Sequence, residues 1–310
     1  MVDDNEIKAD ISPFAIREGE IKVFDGKDGY VSMNQVIHKI DIGHITDIHF
    51  AILYLVNEFE FITSRQIYQM LEIKGFDPES QKKLGNKLDV LVKSKILTRY
   101  YFSSEDGKGV YRIYCLEKMG KYLLNSREVE CKWQPSDNTK PVAMIKKRLA
   151  GNQVLIAYLR KVKAFDSYSV KPILNAKMTG KIFKATGGSV KLSKNGKSIQ
   201  FLFEVMRRED DWKKKLVDKM KLYEDFYNNF SSGDSGFSNI PQLIIVCEDE
   251  RHMAECFKEI VMNHIEINKI KLLFTTDLRQ NKESLEDTLV EFKLVDGKYK
   301  MENVELKLIS

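Results

Sequence analysis

The sequence predicts an α+β protein of two domains, and three observations carry that prediction. At 310 residues the chain can bury two cores of ordinary size. A polar stretch bounded by prolines, residues 128–141, separates two texts of different rhythm. Before it, apolar residues recur at helical spacing and lead into a hairpin; after it, short strands alternate with longer helices. The expected divisions are an acidic arm at 1–44, a first domain at 45–127, a linker at 128–141 and a second domain at 142–310.

The arm holds two strand-like pieces, Ile21–Phe24 and Tyr30–Met33, around the turn Asp25–Gly29. Ile48, Ile52, Leu53, Leu55 and Val56 place a helix over Thr46–Asn57, capped by Thr46 or Asp47. Thr63 or Ser64 caps a second helix with Ile67, Met70 and Leu71 inside, and Gly75 ends it. Asp77-Pro78-Glu79 opens a third, which runs to about Ser94 on the stripe Leu84, Leu88, Leu91 and Val92. Strands Thr98–Phe102 and Val110–Leu116, joined by the tip Ser103–Gly109, precede a closing helix Glu117–Asn125.

That order is the layout of a winged helix-turn-helix. A helix is narrow enough to enter the DNA major groove. Off the apolar stripe, Ser80, Gln81, Lys83, Asn86 and Lys87 would face base edges and phosphates. Thr63, Ser64 and Arg65 at the head of the second helix, and Arg99, Lys108 and Arg112 on the wing, complete the candidate DNA contacts of this domain.

The second domain opens on a basic helix over Val142–Val162, open to a break near Gly151. Strands follow at Ile173–Asn175, Lys181–Lys184, Val190–Leu192 and Ile199–Val205, the last two about the hairpin signal Lys194-Asn195-Gly196-Lys197. Then come helix Asp211–Asn229, a Ser- and Gly-rich loop Ser231–Ser238, a buried strand Leu243–Cys247 and helix Glu250–His264. Strand Ile270–Thr275 and a hairpin pair, Leu289–Leu294 and Val304–Leu308 with Asp296-Gly297-Lys298 between them, close the chain.

The net charge of +5 is unevenly spread. Residues 1–50 carry ten acids and five bases, whereas residues 141–230 carry twenty bases and eight acids. Lys177, Lys181, Lys184, Lys191, Lys194 and Lys197 fall at roughly strand spacing, which on one sheet face would make a phosphate-binding patch. Lys191, Lys194 and Lys197 are its candidate DNA contacts.

Other function classes find no support in the sequence. No apolar run is long enough for a membrane span, and the first residues are acidic where a signal peptide is basic, so the expected compartment is the cytoplasm. Cys115, Cys131, Cys247 and Cys256 form no CxxC pair and read as reduced structural thiols. His38, His44 and His49 lack a cysteine or paired acid at ligand spacing. No Gly-rich phosphate loop and no Gly-x-Ser-x-Gly elbow occurs, so neither cofactor nor metal is expected.

The segments ITDIHFAILYLVNEFEFITSRQIYQML, LDVLVKSKILTRYYF and YRIYCLEKMGKYLL resemble the replication-relaxation family of plasmid and mobile-element proteins. So do FLFEV, the helix KKKLVDKMKLYEDF and the strand LIIVC, the likeness running over about 45–280. The resemblance implies a winged helix-turn-helix joined to an α/β domain of PD-(D/E)XK nuclease-like fold. Such nucleases hold Mg²⁺ between two carboxylates and place a lysine two residues past the second. Glu204 stands where the second carboxylate would be, followed two residues on by Met206, and Lys191 takes the position of the first carboxylate on the preceding strand. Lys213, Lys215 or Lys219 could supply a migrated lysine, but one carboxylate is still missing. The expectation is a nuclease-like fold without catalysis, Glu204 being the sole catalytic candidate if it cleaves.

The expected function is therefore sequence recognition of double-stranded DNA in replication initiation or conjugative transfer. A homodimer, or a replication or transfer enzyme docked on the second domain, are the protein partners considered, and a membrane is not. A transcription regulator, a metal-dependent nuclease and a protein-interaction adaptor are the alternatives.

Overall fold

The computed structural model describes residues 12–103, 111–281, 284–285, 287–295 and 298–304. The chain divides into two units by internal contact, Arg17–Leu149 and Ala150–Ser310 with Met1–Ile16. The division falls inside a helix rather than at the expected linker, and it brings residues 17–44 into the first unit.

The first unit begins with β1 (Ile21–Phe24) and α1 (Met33–Asp41). A capping box explains α1: Ser32 accepts from the Gln35 amide while the Gln35 side chain accepts from the Ser32 amide. That helix starts where a strand, Tyr30–Met33, was expected. Next come α2 (Asp47–Phe59), β2 (Ile62–Thr63), α3 (Ser64–Ile73), α4 (Gln81–Lys93), β3 (Leu97–Ser103), β4 (Arg112–Leu116) and α5 (Lys118–Ser126). The sheet order is β1-β3-β4-β2, all antiparallel, so β2 between two helices returns to pair with the far strand of the hairpin. Ile52, Leu55 and Val56 of α2, Ile67 and Leu71 of α3 and Leu84 and Leu88 of α4 are fully buried or nearly so. This stripe is the one the helical spacing announced.

The stretch expected to be a linker is built into this unit. Within a 3-10 turn, Pro135–Thr139, the buried Asn138 donates to the Leu116 carbonyl and accepts from the Trp133 indole. Its own carbonyl accepts from Lys22. Polar text here reflects hydrogen bonding to the end of β4, not a free tether.

α6 (Val142–Lys161) is continuous through Gly151 and crosses from one unit to the other. The second unit then contains β5 (Phe165–Ser169), β6 (Ile173–Ala176), β7 (Lys181–Lys184), β8 (Ser189–Lys194) and β9 (Lys197–Val205). After these come α7 (Trp212–Asn228), β10 (Gln242–Cys247), α8 (Glu250–Met262), β11 (Leu273–Thr276), α9 (Asp277–Gln280), β12 (Val290–Val295) and β13 (Lys298–Asn303). β13 lies upstream of the expected Val304–Leu308, whose residues 305–308 are outside the described residues, as are Asp296 and Gly297. β5 itself was not foreseen.

Seven strands form one mixed sheet in the order β13-β12-β11-β10-β9-β8-β5, and β6-β7 is a separate two-stranded hairpin. β5, β8 and β9 make an antiparallel meander; β9, β10 and β11 run parallel, linked by α7 and α8. Asn195 and Gly196 both take positive φ, 52° and 74°, as a two-residue hairpin turn demands. On one face Tyr158 of α6 meets Phe201 and Phe203, with ring centroids 5.9 and 5.2 Å away. On the other, Leu202, Leu243 and Ile245 pack with Leu216, Met220 and Tyr223 of α7.

Gly151 owes its place to the close approach of α6 to the turn before β8. A Cβ there would lie 2.7 Å from the Gly187 Cα and 2.8 Å from the Thr186 carbonyl oxygen. A methyl group has no flexible neighbour to displace, so Gly151→Ala should lower stability by about 1–3 kcal/mol in urea or thermal unfolding. Gly85 on α4 has nothing within 4 Å of its added Cβ, and Gly85→Ala should instead raise stability by about 0.5–1 kcal/mol.

Candidate nucleic-acid interface

α3 ends at Gly75, whose φ of 79° lets the chain turn back. Asp77-Pro78-Glu79 forms part of the turn and does not open the next helix. Pro78 is buried, the Asp77 carboxylate accepts from the Glu79 amide at 2.7 Å, and Glu79 has φ 63°. Ser80 is the cap that starts α4, accepting from the Lys83 amide at 3.2 Å.

α4 is divided cleanly by burial. Leu84, Leu88, Leu91 and Val92 are inside, while Gln81, Lys82, Lys83, Asn86 and Lys93 are exposed. Among the described residues, Gln81, Lys82 and Asn86 have no side-chain partner within the protein. Lys82, which is not among the expected contacts, is exposed on the same helix. The two other lysines share a carboxylate: Glu79 pairs with Lys83 and, at 3.5 Å, with Lys87. The Lys83 ammonium accordingly holds the Glu79 carboxyl below its usual range.

The remaining contacts expected in this unit separate into available and engaged groups. Ser64 is half-buried and Arg65 exposed at the head of α3. Thr63 is buried, its hydroxyl accepting from the Gln66 amide at 3.1 Å in a capping box, so it serves the helix rather than a ligand. Arg99 is enclosed by carboxylates, bonding Asp25 at 2.8 Å and also Asp89. Arg112 reaches the same Asp25 at 3.2 Å but stays more than half exposed. Lys108 lies outside the described residues.

His49 lies buried in the first turn of α2. Its Nδ1 accepts from the Thr46 amide at 3.1 Å, closing the cap of α2. Burial, with the nearby Lys87 charge adding to it, pulls the imidazole down to about 4. His38 and His44 are exposed and make no such contact.

In the second unit the strand register corrects the lysine patch and the carboxylate positions. Lys181 and Lys184 lie on the β6-β7 hairpin, whereas Lys191, Lys194 and Lys197 lie on β8 and β9 of the large sheet, so the string does not share one face. Lys177 pairs with Asp234 at 2.6 Å and Lys191 with Asp166 at 2.9 Å; Lys194 and Lys197 stay exposed beside the turn. Lys191 stands opposite Gln200, four residues from Glu204 along β9. The neighbour of Glu204 is Thr186, which donates its hydroxyl at 2.8 Å.

Glu204 is buried. Tyr223 donates to it at 2.7 Å, the Thr186 amide at 3.3 Å, and Lys219 approaches to 3.7 Å. Burial and the adjacent carboxylate push the Tyr223 hydroxyl well above its usual range. The partners of Glu204 are thus two hydroxyl groups, one backbone amide and one ammonium.

Cys247, His252 and Cys256 bring their ligand atoms within 4.8 Å of one another, a grouping latent in the Cys-x₄-His-x₃-Cys spacing from strand end to helix face. His252 Nδ1 accepts from the Glu248 amide at 3.3 Å, which puts the ring proton on Nε2 of a neutral imidazole. Burial pushes the Cys247 thiol up.

Among the described residues no helix is long and apolar enough to cross a membrane. Compared with known protein families, characterised proteins and solved structures, the chain matches none.

The depressed imidazole of His49 has a consequence for stability. The unfolded chain takes up a proton near 6.5 and the folded one only near 4, so the stabilisation is complete above pH 6.5 and is lost as pH falls toward 4. Thermal unfolding across this window should show a steeper loss in the wild type than in His49→Gln, which retains a cap acceptor without the titrating ring.

Proposed function

We propose that the chain is a DNA-binding protein that reads duplex sequence through α4, the recognition helix of a winged helix-turn-helix. The observation that carries this is the partition of α4: four apolar residues buried and Gln81, Lys82, Lys83 and Asn86 in solvent. Amide and ammonium groups on a free helical face are the chemistry that pairs with base edges and phosphates. The order α2-β2-α3-α4-β3-β4, with β2 returning to β4, supports the winged reading. Arg65, at the head of the preceding helix, is exposed on the same helix-turn-helix and suits a backbone phosphate.

The second unit supports a nuclease-like framework that does not cut. Its succession α6-β5-β8-β9-α7-β10 is a helix, a three-stranded meander, a crossover helix and a parallel fourth strand, with β6-β7 inserted. Glu204 occupies the strand where such enzymes hold metal, yet its partners are two hydroxyl groups, an amide and a lysine. On the sequence's resemblance to the replication-relaxation family, the role proposed for this DNA binding is replication initiation or conjugative transfer of a mobile element.

Selection from a randomised duplex pool, followed by fluorescence anisotropy on the enriched site, tests this reading. The wild type should enrich one site. Combining Gln81→Ala, Lys82→Ala and Asn86→Ala should weaken binding to it about tenfold to hundredfold and erase its preference over random duplex. Arg99→Ala should alter stability more than site preference. Equal enrichment by the wild type and the triple variant, or none by either, would remove α4 from the function.

A further inference from the structure

Strand register sets a row of polar side chains across the free edge of the large sheet. Ser167 of β5 is the partner of Lys191 on β8, and Lys191 is the partner of Gln200 on β9. Residues one apart along a strand alternate faces, so these three share one. They line a cleft of about 640 Å³, together with Lys171 and the hairpin residues Ile173 and Ile182.

The chemistry of the lining is one-sided. Two lysines line it and, among the described residues, no carboxylate does, so an anion can enter to the extent that it displaces the partners these lysines have within the protein. Hydroxyl and amide groups add hydrogen-bonding capacity, and the volume lies in the range of small-molecule sites. A bare inorganic anion would leave most of that space and the apolar wall unused. Ile173 and Ile182 are 55% and 74% exposed, so hydrocarbon faces open space beside the cations.

Lys191 already has a counter-ion. Asp166 approaches it at 2.9 Å and accepts from Ser193 at 3.1 Å, and both charged side chains are about two-fifths exposed. An ion pair so exposed is worth little, and a ligand anion can exchange for the carboxylate at small cost. The pair holds the ammonium at the cleft without closing it.

We propose that this cleft binds the phosphate ester of a nucleotide, with Lys191 and Lys171 on the phosphate oxygens and Ile173 and Ile182 against sugar and base. Ser167 and Gln200 supply the hydrogen bonds that fix its orientation, and Asp166 competes with the phosphate for Lys191. Free nucleotides and single-stranded DNA both present this group. The site is separate from α4 and stands or falls independently of duplex recognition.

Fluorescence anisotropy of dye-labelled decathymidylate on the full chain, with thymidine monophosphate as competitor, tests the proposal. Lys191→Ala and Lys171→Ala should each weaken binding about tenfold, the scale of one charged hydrogen bond, while Asp166→Asn should tighten it. All three positions lie at the surface, and thermal unfolding of each variant verifies that it is folded. Displacement by the monophosphate identifies the free nucleotide as the ligand; retention of the oligonucleotide in excess monophosphate identifies the single strand. The proposal is overturned if neither probe binds, or if Lys191→Ala and Asp166→Asn bind as the wild type does. It is equally overturned if the Gln81, Lys82 and Asn86 alanine variant loses decathymidylate, because the signal would then belong to α4.

Discussion

The close approach of three chain segments around Gly151, Gly187 and Gly188 fixes most of what the second unit presents. Without a Cβ at Gly151, α6 rests on the Thr186-Gly187 turn. A Cβ on Gly187 would meet the Phe203 Cβ at 2.7 Å, and Gly188, at φ 84°, sits against the Ser169 carbonyl. The Gly187 amide donates to the Phe203 carbonyl and the Phe203 amide to the Gly188 carbonyl, so backbone bonds pin the turn to β9. β8 therefore enters the sheet with Ser189 opposite Leu202. A strand register cannot slip by one residue without turning every side chain to the other face. Thr186 reaches Glu204, and Lys191 lines up with Gln200 and Ser167, because of that one junction.

The first unit obeys a different constraint, the pairing of its surface cations with the carboxylates folded beside them. β1 adds to the free edge of β3 and delivers Asp25 to Arg99 and Arg112. Arg99, 13% exposed and bonded to two carboxylates, is less available as a backbone contact than Arg112, which is more than half exposed. Lys83 and Lys87 lean on Glu79, but in solvent, where such a pair is weak. The neutral amides Gln81 and Asn86 incur no such competition. Any specificity in this unit thus rests on hydrogen-bonding groups more than on charge, as base reading requires.

Periodicity made the cores legible and left the partnerships hidden. The stripe of α4, the capping at Thr46 and Thr63, and the Asn195-Gly196 turn are local, each successive residue that makes them lying within four positions of the last. α1 carried an equally local signal in Ser32 and Gln35, obscured by the strand-like text of Tyr30, Val31 and Met33 beside it. β5, with Phe165-Asp166-Ser167-Tyr168-Ser169, alternates too weakly to announce a strand and is held in the sheet by β8 alone. Trp133 and Asn138 look like linker residues until it is known that Asn138 donates to the Leu116 carbonyl and accepts from the Trp133 indole. Which lysines share a face, and what stands beside Glu204, depend on pairings between segments, and no count along the chain contains them.

The same distinction governs the basic window of residues 141–230. Its excess of twelve positive charges is a sum over sequence, while the field that a ligand feels is a sum over space. Several of its cations find acids from downstream: Lys177 pairs with Asp234, Arg207 with Asp277, Arg208 with Glu248 and Asp249, and Lys213 with Glu259. An incoming phosphate must replace the carboxylate in each case. At Arg207 the exchange is prohibitive, because the guanidinium is fully buried and bonds Asp277 through two contacts of 2.8 and 2.9 Å, so that freeing it would strand a buried charge. Arg208 is held by Asp249 on a helix cap that also accepts from the His252 amide, and moving that carboxylate would cost the cap as well. Asp166 caps no helix, faces water and holds Lys191 through one contact. A cation can change partners where its present partner contributes little to the fold, and Lys191 at the edge of the sheet meets that condition where Arg207 and Arg208 do not.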